Sequence, residues 1–321
     1  MDDLRVFMGS SNRPLGEEIC RYLGIEPGRL AIKRFANDNI FVQIEESVRG
    51  KDTFVVQSLY PDPNEALVEL MLILDALRSA SASRVTAVIP HYSYARSDKK
   101  DQPRISIAAR LFADTLVTAG AMRFLTMNLH SDQVRGFFSA PTDHLLSEPI
   151  IIDYLRNNMD LSNTVALLDL GQQKREGNFS AQLDLPLAIM NKERISDHEV
   201  KITEMIGDVA GKDVLMFEDE ISRGTSLVAA AQAVRERGAK RIRVACTHGL
   251  FCDPAVELIS GSAIEEIVTT NSVHIPPERR LPSITILSVA PLFGEAIRRT
   301  HCGESVSVLF DSDNAAFRAQ Y

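Results

Sequence analysis

The sequence predicts an α/β protein made of two copies of one domain, each a mainly parallel sheet flanked by helices. Three observations predict it: strands alternate with helices along the chain, one stretch repeats, and 321 residues exceed the usual size of a single domain. The repeat is explicit. ALRSASASRVTAVIPH, from Ala76 to His91, aligns without gaps on AVRERGAKRIRVACTH, from Ala233 to His248, and GKDTFVVQS at Gly50 parallels GKDVLMFED at Gly211. The spacing between the two matched stretches is four residues longer in the first copy, so its loop is the longer one.

Taken in order, the apolar run Val6–Met8 opens the chain as a strand, and Thr53–Ser58 forms the first strand of the repeat. Asn64–Arg78 carries apolar residues at helical spacing, and Val85–Pro90 returns as a strand. The helix Ile105–Ala119 leads to the strand Arg123–Met127, and the helix Pro149–Asn157 begins at a proline, which suits a first turn. The second copy reads as the strands Thr164–Asp169, Leu187–Met190 and Val214–Glu218, the helix Gly224–Arg237, then the strands Ile242–Thr247, Ile267–Thr270 and Ile284–Ser288. The helix Pro291–Thr300 ends the series. The domain boundaries expected are 1–147 and 148–289, with 290–321 packing back on the first domain.

Hydrophobic residues at 45% and charged residues at 24% exclude a disordered, collagen-like or membrane-spanning chain. The 35 basic against 43 acidic side chains give a net charge of −8, so no global positive field invites nucleic acid or an anionic membrane. A polyanionic ligand must be captured locally. Cys20, Cys246, Cys252 and Cys302 show no metal-ligand spacing and read as reduced thiols of a cytoplasmic protein. The start MDDLRVFMGSSN has neither the basic region nor the long apolar run of a signal peptide.

The copies differ after their first matched strand, where LYPDPNEA in one faces EDEISRGTS in the other. Ligands of parallel sheets bind beyond the carboxyl ends of strands, where a loop enters a helix. Glu218 and Asp219 can accept hydrogen bonds from sugar hydroxyls. Ser222, Gly224, Thr225 and Ser226 bring hydroxyls and backbone N–H groups to a helix N-terminus, where the dipole favours an anion. As pattern alone, an ordinary helix start with solvated acids fits equally.

With that turn the chain resembles the phosphoribosyltransferase fold, and nearly its whole length resembles the ribose-phosphate pyrophosphokinases. The segments that carry the likeness, in family order, include FANDNIFVQIEESVRGKD, SASRVTAVIPHYSYARSDKKDQPRISIAARL, TMNLHSDQVRGFF, LAIMNKER, IGDVAGKDV, THGLF and EAIRRTHCGESVSVLF. The resemblance implies two phosphoribosyltransferase-like domains and transfer of the diphosphate of MgATP to the anomeric hydroxyl of ribose 5-phosphate, releasing AMP. It implies Lys192 and Arg194 as the catalytic pair, expected just beyond a short strand, and His130 and Asp169 as contacts of Mg2+. It implies ATP binding by Phe35, Asn37, Asn39, Arg96, Ser97 and His130, and ribose-phosphate binding by Glu218, Asp219, Ser222, Arg223, Gly224, Thr225 and Ser226. It also implies a homo-oligomer of dimers assembling to a hexamer. An effector site would involve Arg49, Ser81, Arg84, Ser305, Val306 and Ser307.

Several positions depart from the family pattern. The sugar loop has Ser222 and Arg223 where the family usually carries an Asp and a Thr, so a carboxylate is lost and a cation gained. Asn39 stands at a usually acidic position, Ser97 replaces a glutamine, and Gly171–Gln172 replaces a Gly-Gly pair. Three other readings therefore stay open: a noncatalytic regulatory paralogue, a phosphoribosyltransferase that consumes phosphoribosyl pyrophosphate, and a pyrophosphokinase for a related sugar phosphate.

Overall fold

The computed structural model describes residues 2–170, 179–194 and 200–310, without the side chains of 192–194, 200, 201, 203 and 310. Two compact units form. One comprises the described residues of Met1–Leu146, Ser272–His274 and Ser288–Tyr321, the other Ser147–Asn271 and Ile275–Leu287.

In the first unit β1 (Leu4–Met8), β4 (Asp52–Val56), β5 (Arg84–Ile89), β6 (Arg123–Met127) and β7 (Thr142–Leu145) make one five-stranded sheet in that order, parallel throughout. The hairpin β2 (Leu30–Arg34) and β3 (Ile40–Ile44) stands apart as its own two-stranded sheet. In the second unit β8 (Thr164–Asp169), β11 (Asp213–Ile221), β12 (Ile242–Gly249), β13 (Glu266–Thr270) and β14 (Ile284–Leu287) are parallel in the same relative order. Here the hairpin β9 (Leu187–Arg194) and β10 (Val200–Ile206) joins the edge of the sheet beside β8. Both units thus have one topology, with a hairpin inserted between the first and second strands. The central strands are buried on both faces by helices, which explains why β4 and β5 read as nearly continuous apolar runs.

The repeat extends to single interactions. Asp52 at the start of β4 pairs with Arg84 at the start of β5, and the aligned Asp213 and Arg241 pair at 2.5 Å in the second unit. The extra residues of the first copy lie between β4 and α2 (Pro63–Ser79), whereas β11 is followed after only three residues by α5 (Thr225–Glu236).

Some elements escaped the sequence pattern. α1 (Arg13–Leu23) carries Pro14 in its first turn and Gly24 in the left-handed conformation at its end, start and stop signals that were present in the chain. The hairpin β2–β3, the strands β7 and β10 and the short helix α6 (Ala255–Ser260) were likewise not expected. α3 (Ala108–Ala119) starts three residues later than predicted, because Ser97 reaches across the preceding loop. Its hydroxyl accepts from Ala108 N at 3.3 Å and its carbonyl accepts from Ala109 N at 3.2 Å. α4 (Glu148–Asn158) lies within a residue of its expected bounds at each end.

α7 (Ala290–Cys302) packs on α1 within the first unit. Glu295 accepts hydrogen bonds from Arg298 at 2.9 Å and Arg299 at 2.7 Å, and Arg298 also grips Glu304. The Arg298 hydrogen bond holds the Glu295 carboxyl below its ordinary value of 4.5. A depressed carboxylate contributes stability that is present above its unfolded value and lost as pH falls through its folded value. Stability of the wild-type protein should therefore begin to fall below about pH 4.5, and Glu295→Gln should flatten this acid limb in denaturation midpoints measured across pH. An unchanged acid limb would remove Glu295 from that role.

Candidate active site

In the second unit Asp169 is the last residue of β8 and is half-buried. It stands in register with Met190 of β9, and Leu170 N donates to Met190 O at 2.9 Å. The expected short strand Leu187–Met190 is in fact longer. β9 continues through Arg194 because β10 supplies an antiparallel partner, with Lys192 opposite Ile202 and Arg194 opposite Val200. Lys192 and Arg194 are therefore strand residues rather than loop residues. At about 3.3 Å per residue their backbones lie roughly 7 and 13 Å beyond the level of Asp169, past the carboxyl edge of β8. Their side chains lie outside the described residues, as does the Gly171–Gln172 pair.

β11 also outruns its prediction. It extends to Ile221, because β12 pairs with it as far as Gly249. Glu218 and Asp219 are thus consecutive strand residues and alternate across the pleat, Glu218 half-buried and Asp219 buried. Glu220, which the sequence reading passed over, returns to the face of Glu218. Burial, and after it the Glu218 charge, push the neighbouring Cys246 thiol well above its ordinary range, so it stays a packed thiol rather than a nucleophile.

The turn after β11 is pinned by the segment after β12. Leu250 N and Phe251 N donate to Ile221 O at 2.9 and 3.1 Å, Cys252 N donates to Ser222 O at 3.0 Å, and the Ser222 hydroxyl points to Cys252 Sγ at 3.7 Å. Arg223 is exposed. Gly224 takes a φ of 74°, a conformation costly for other residues, and lets the chain enter α5 at once. Thr225 and Ser226 open a helix with no side-chain cap and no acidic residue in its first turn. That terminus presents N–H groups and the positive end of the dipole, as an anion requires.

The corresponding place in the first unit is filled. Glu69 of α2 is buried and accepts from Ser10 N at 2.7 Å, from the Ser10 hydroxyl at 2.8 Å and from Gln57 Nε2 at 2.8 Å. The Ser11 hydroxyl donates to Gln57 Oε1 at 2.7 Å, and a Cβ on Gly9 would sit 2.2 Å from that same oxygen. The loop after β1 thereby closes the carboxyl end of β4.

The residues expected to bind nucleotide all belong to the first unit. Phe35, Asn37 and Asn39 form the exposed tip of the β2–β3 hairpin. Phe35 is 54% exposed, its ring centroid 5.7 Å from that of Phe41, and Asp38 turns the chain with a φ of 64°. Asn39 N donates to Asn37 Oδ1 at 3.3 Å, so Asn37 is partly used in shaping the tip. Arg96 is exposed at the end of the short 3-10 helix Ser93–Arg96, while Ser97 acts in the loop closure described above. His130 is exposed beyond the end of β6, unlike a packed core histidine. Its turn is joined to the Arg96 segment, since the Ser131 hydroxyl donates to Asp98 Oδ2 at 2.6 Å. Asp98 was not singled out in the sequence; only its contact across 33 residues reveals it.

Of the expected effector residues, Arg49 is exposed and Ser81, with a φ of 66°, accepts from Gly50 N at 2.9 Å. Arg84 is engaged by Asp52 and donates to His301 O at 3.2 Å. The Ser305 and Ser307 hydroxyls lie 2.5 Å apart. Arg84 and Val306 line one cavity of about 380 Å³ at the amino end of the first sheet, together with Arg123 and Thr300.

Comparison with known proteins agrees with this fold. The family profile for the N-terminal domain of ribose phosphate pyrophosphokinase matches residues 4–120, and that for the phosphoribosyl synthetase-associated domain matches residues 169–311. A ribose-phosphate pyrophosphokinase of Deinococcus radiodurans is 48% identical over 96% of this chain and 98% of its own. One of Synechocystis is 42% identical over 96% and 92%. The crystal structure of phosphoribosylpyrophosphate synthetase from Mycobacterium smegmatis superposes with a TM-score of 0.88 at 36% identity, covering 94% of this chain and 99% of that one. Matched by the two profiles over most of its length and by relatives over nearly all of it, the chain belongs to the ribose-phosphate pyrophosphokinase family of enzymes.

Proposed function

We propose that the chain is a catalytically active ribose-phosphate pyrophosphokinase, transferring the diphosphate of MgATP to the anomeric hydroxyl of ribose 5-phosphate to give phosphoribosyl pyrophosphate and AMP. The observation that carries the proposal is the ribbon β9–β10, which takes Lys192 and Arg194 past the carboxyl edge of a sheet that also presents Asp169 and the uncapped start of α5.

In the reaction the anomeric oxygen attacks the β-phosphorus of ATP, the bond to the α–β bridging oxygen breaks, and AMP departs with that oxygen as the hydroxyl proton is released. Little covalent work falls to the protein, so positioning and charge neutralisation carry the rate. The N-terminus of α5, with Ser222, Thr225 and Ser226 and the cation of Arg223, binds the 5-phosphate. Glu218 and Asp219 accept from ribose hydroxyls. Phe35 offers an exposed ring for adenine, with Asn37 and Asn39 beside it, and Arg96 contacts phosphate. Lys192 and Arg194 neutralise charge on the diphosphate in flight. The half-buried carboxylate of Asp169 at a strand end is the kind of hard oxygen donor that magnesium takes alongside substrate phosphates, and the exposed His130 of the first unit is proposed as a metal contact as well. When bound, the ion supplies charge neutralisation at the phosphates.

Exposure of Phe35 at a hairpin tip supports a homo-oligomer, dimers assembling to a hexamer, in which that tip serves a neighbouring subunit. Arg49, Ser81, Arg84 and the 305–307 turn are proposed as its effector site. Four free thiols suit the cytoplasm, and among the described residues no helix is long and apolar enough to cross a membrane.

The test is an assay of the pure protein with ATP, magnesium and ribose 5-phosphate. One AMP should appear per sugar phosphate consumed, with none released when the sugar is omitted. Clean ATP binding without AMP release would overturn the proposal in favour of a regulatory paralogue, and faster turnover of another sugar phosphate would reassign the substrate.

A further inference from the structure

We propose that His144, a buried residue with no part in the reaction as described, is the positioning residue of the turn that presents His130. The proposal rests on the reading of His130 as a contact of metal and nucleotide. Its basis is a single buried hydrogen bond and the backbone around it.

β6 ends at Met127, and its ladder to β7 closes with Asn128 N donating to Leu145 O at 3.1 Å. Asn128 then adopts a φ of 38°, a left-handed conformation sparsely used by non-glycine residues. That turn swings the chain off the sheet and sends the next amide back into the protein. Leu129 is buried, and its N–H donates to His144 Nε2 at 2.8 Å. A backbone amide always donates, so Nε2 is the unprotonated nitrogen of this imidazole, and its proton sits on Nδ1. His144 is itself buried on β7, in register with Thr126 of β6, so its backbone is placed by the sheet and not by the turn. His130 follows immediately and reaches solvent, and on its far side the Ser131 hydroxyl is held by Asp98. The exposed histidine is therefore pinned through the residue before it and the residue after it.

Without an acceptor at position 144 a buried amide loses this partner, and the turn must shift to recover one. A displacement of about 1 Å at a positioning group is enough to slow a reaction that depends on alignment. The effect belongs to turnover, since ribose 5-phosphate is bound by residues of the other unit.

Methionine and glutamine resemble each other in length, but only glutamine offers an oxygen near the place of Nε2. We expect His144→Met to lower kcat at least 10-fold with KM for ribose 5-phosphate within twofold, and His144→Gln to keep kcat within threefold of wild type. His130→Ala runs beside them and should lose activity. Equal activity of the Met variant and wild type, with His130→Ala inactive, would overturn the positioning role while leaving His130 in place. Equal losses in folded Met and Gln variants would also overturn it, by showing that ring shape matters and the acceptor does not. Full activity of His130→Ala would instead remove the reading of His130 and this proposal with it. If the Met variant does not fold, the Gln variant decides: retained turnover supports the bond, and a 10-fold loss in a folded protein sinks it.

Discussion

Lys192→Ala and Arg194→Ala each lower the rate of AMP release at least about 100-fold, the scale seen when one preorganised charge-stabilising group is removed, or about 2.7 kcal/mol of barrier. The ribbon that carries them runs beyond the end of β8, paired through Arg194 opposite Val200, so its backbone has support without either side chain. The denaturation midpoint should accordingly match wild type. Binding of ribose 5-phosphate in the absence of ATP should also be unaffected, because the proposed phosphate cup is the separate turn at residues 222–226. The measurement is steady-state kinetics beside equilibrium binding of the sugar phosphate. Turnover within a few fold of wild type in both variants would end the assignment of this pair.

Glu69→Leu destabilises the first unit by about 3–5 kcal/mol, since the Ser10 amide and the Gln57 side chain both lose their buried acceptor. Gln57 is fully buried, and water cannot replace the carboxylate without opening the loop after β1. Glu69→Gln, which keeps one acceptor oxygen, should lose clearly less. Denaturant midpoints of the two variants decide: a cost below about 1 kcal/mol for the leucine change would mean the network is not held by Glu69. The result also bears on the duplication. The second unit leaves its helix start, the place proposed for the sugar phosphate, without a side-chain cap, while the first has closed the same place with its own side chains.

Much of the fold was legible because local pattern reports burial. Strands covered on both faces show as apolar runs, and the stretch from Ala76 to His91 reveals its twin whatever the tertiary structure. The paired Asp52–Arg84 and Asp213–Arg241 bridges were contained in that alignment too. The edge strand β10 was not legible, because VKITEMI mixes polar and apolar residues as an edge strand does. The hairpin β2–β3 could have been found from the alternation in IFVQI beside the Asn-Asp-Asn turn. For the candidate site, residue types and spacing pointed to the sugar turn, whereas the basic pair was named by the family resemblance and was expected just beyond a short strand rather than within β9.

Composition, periodicity and the internal repeat were enough to predict a duplicated α/β chain, because these signals act over a few residues, while most of the candidate chemistry was named by the resemblance of ordered segments to one family. Strand length and alignment of the site were settled elsewhere in the chain. β9 reaches Arg194 because β10 lies beside it, β11 reaches Ile221 because β12 continues, and the turn before His130 holds its course because His144 lies across from Leu129. Each depends on a hydrogen-bond partner that the local segment cannot supply, and so on which distant residues folding brings within 3 Å.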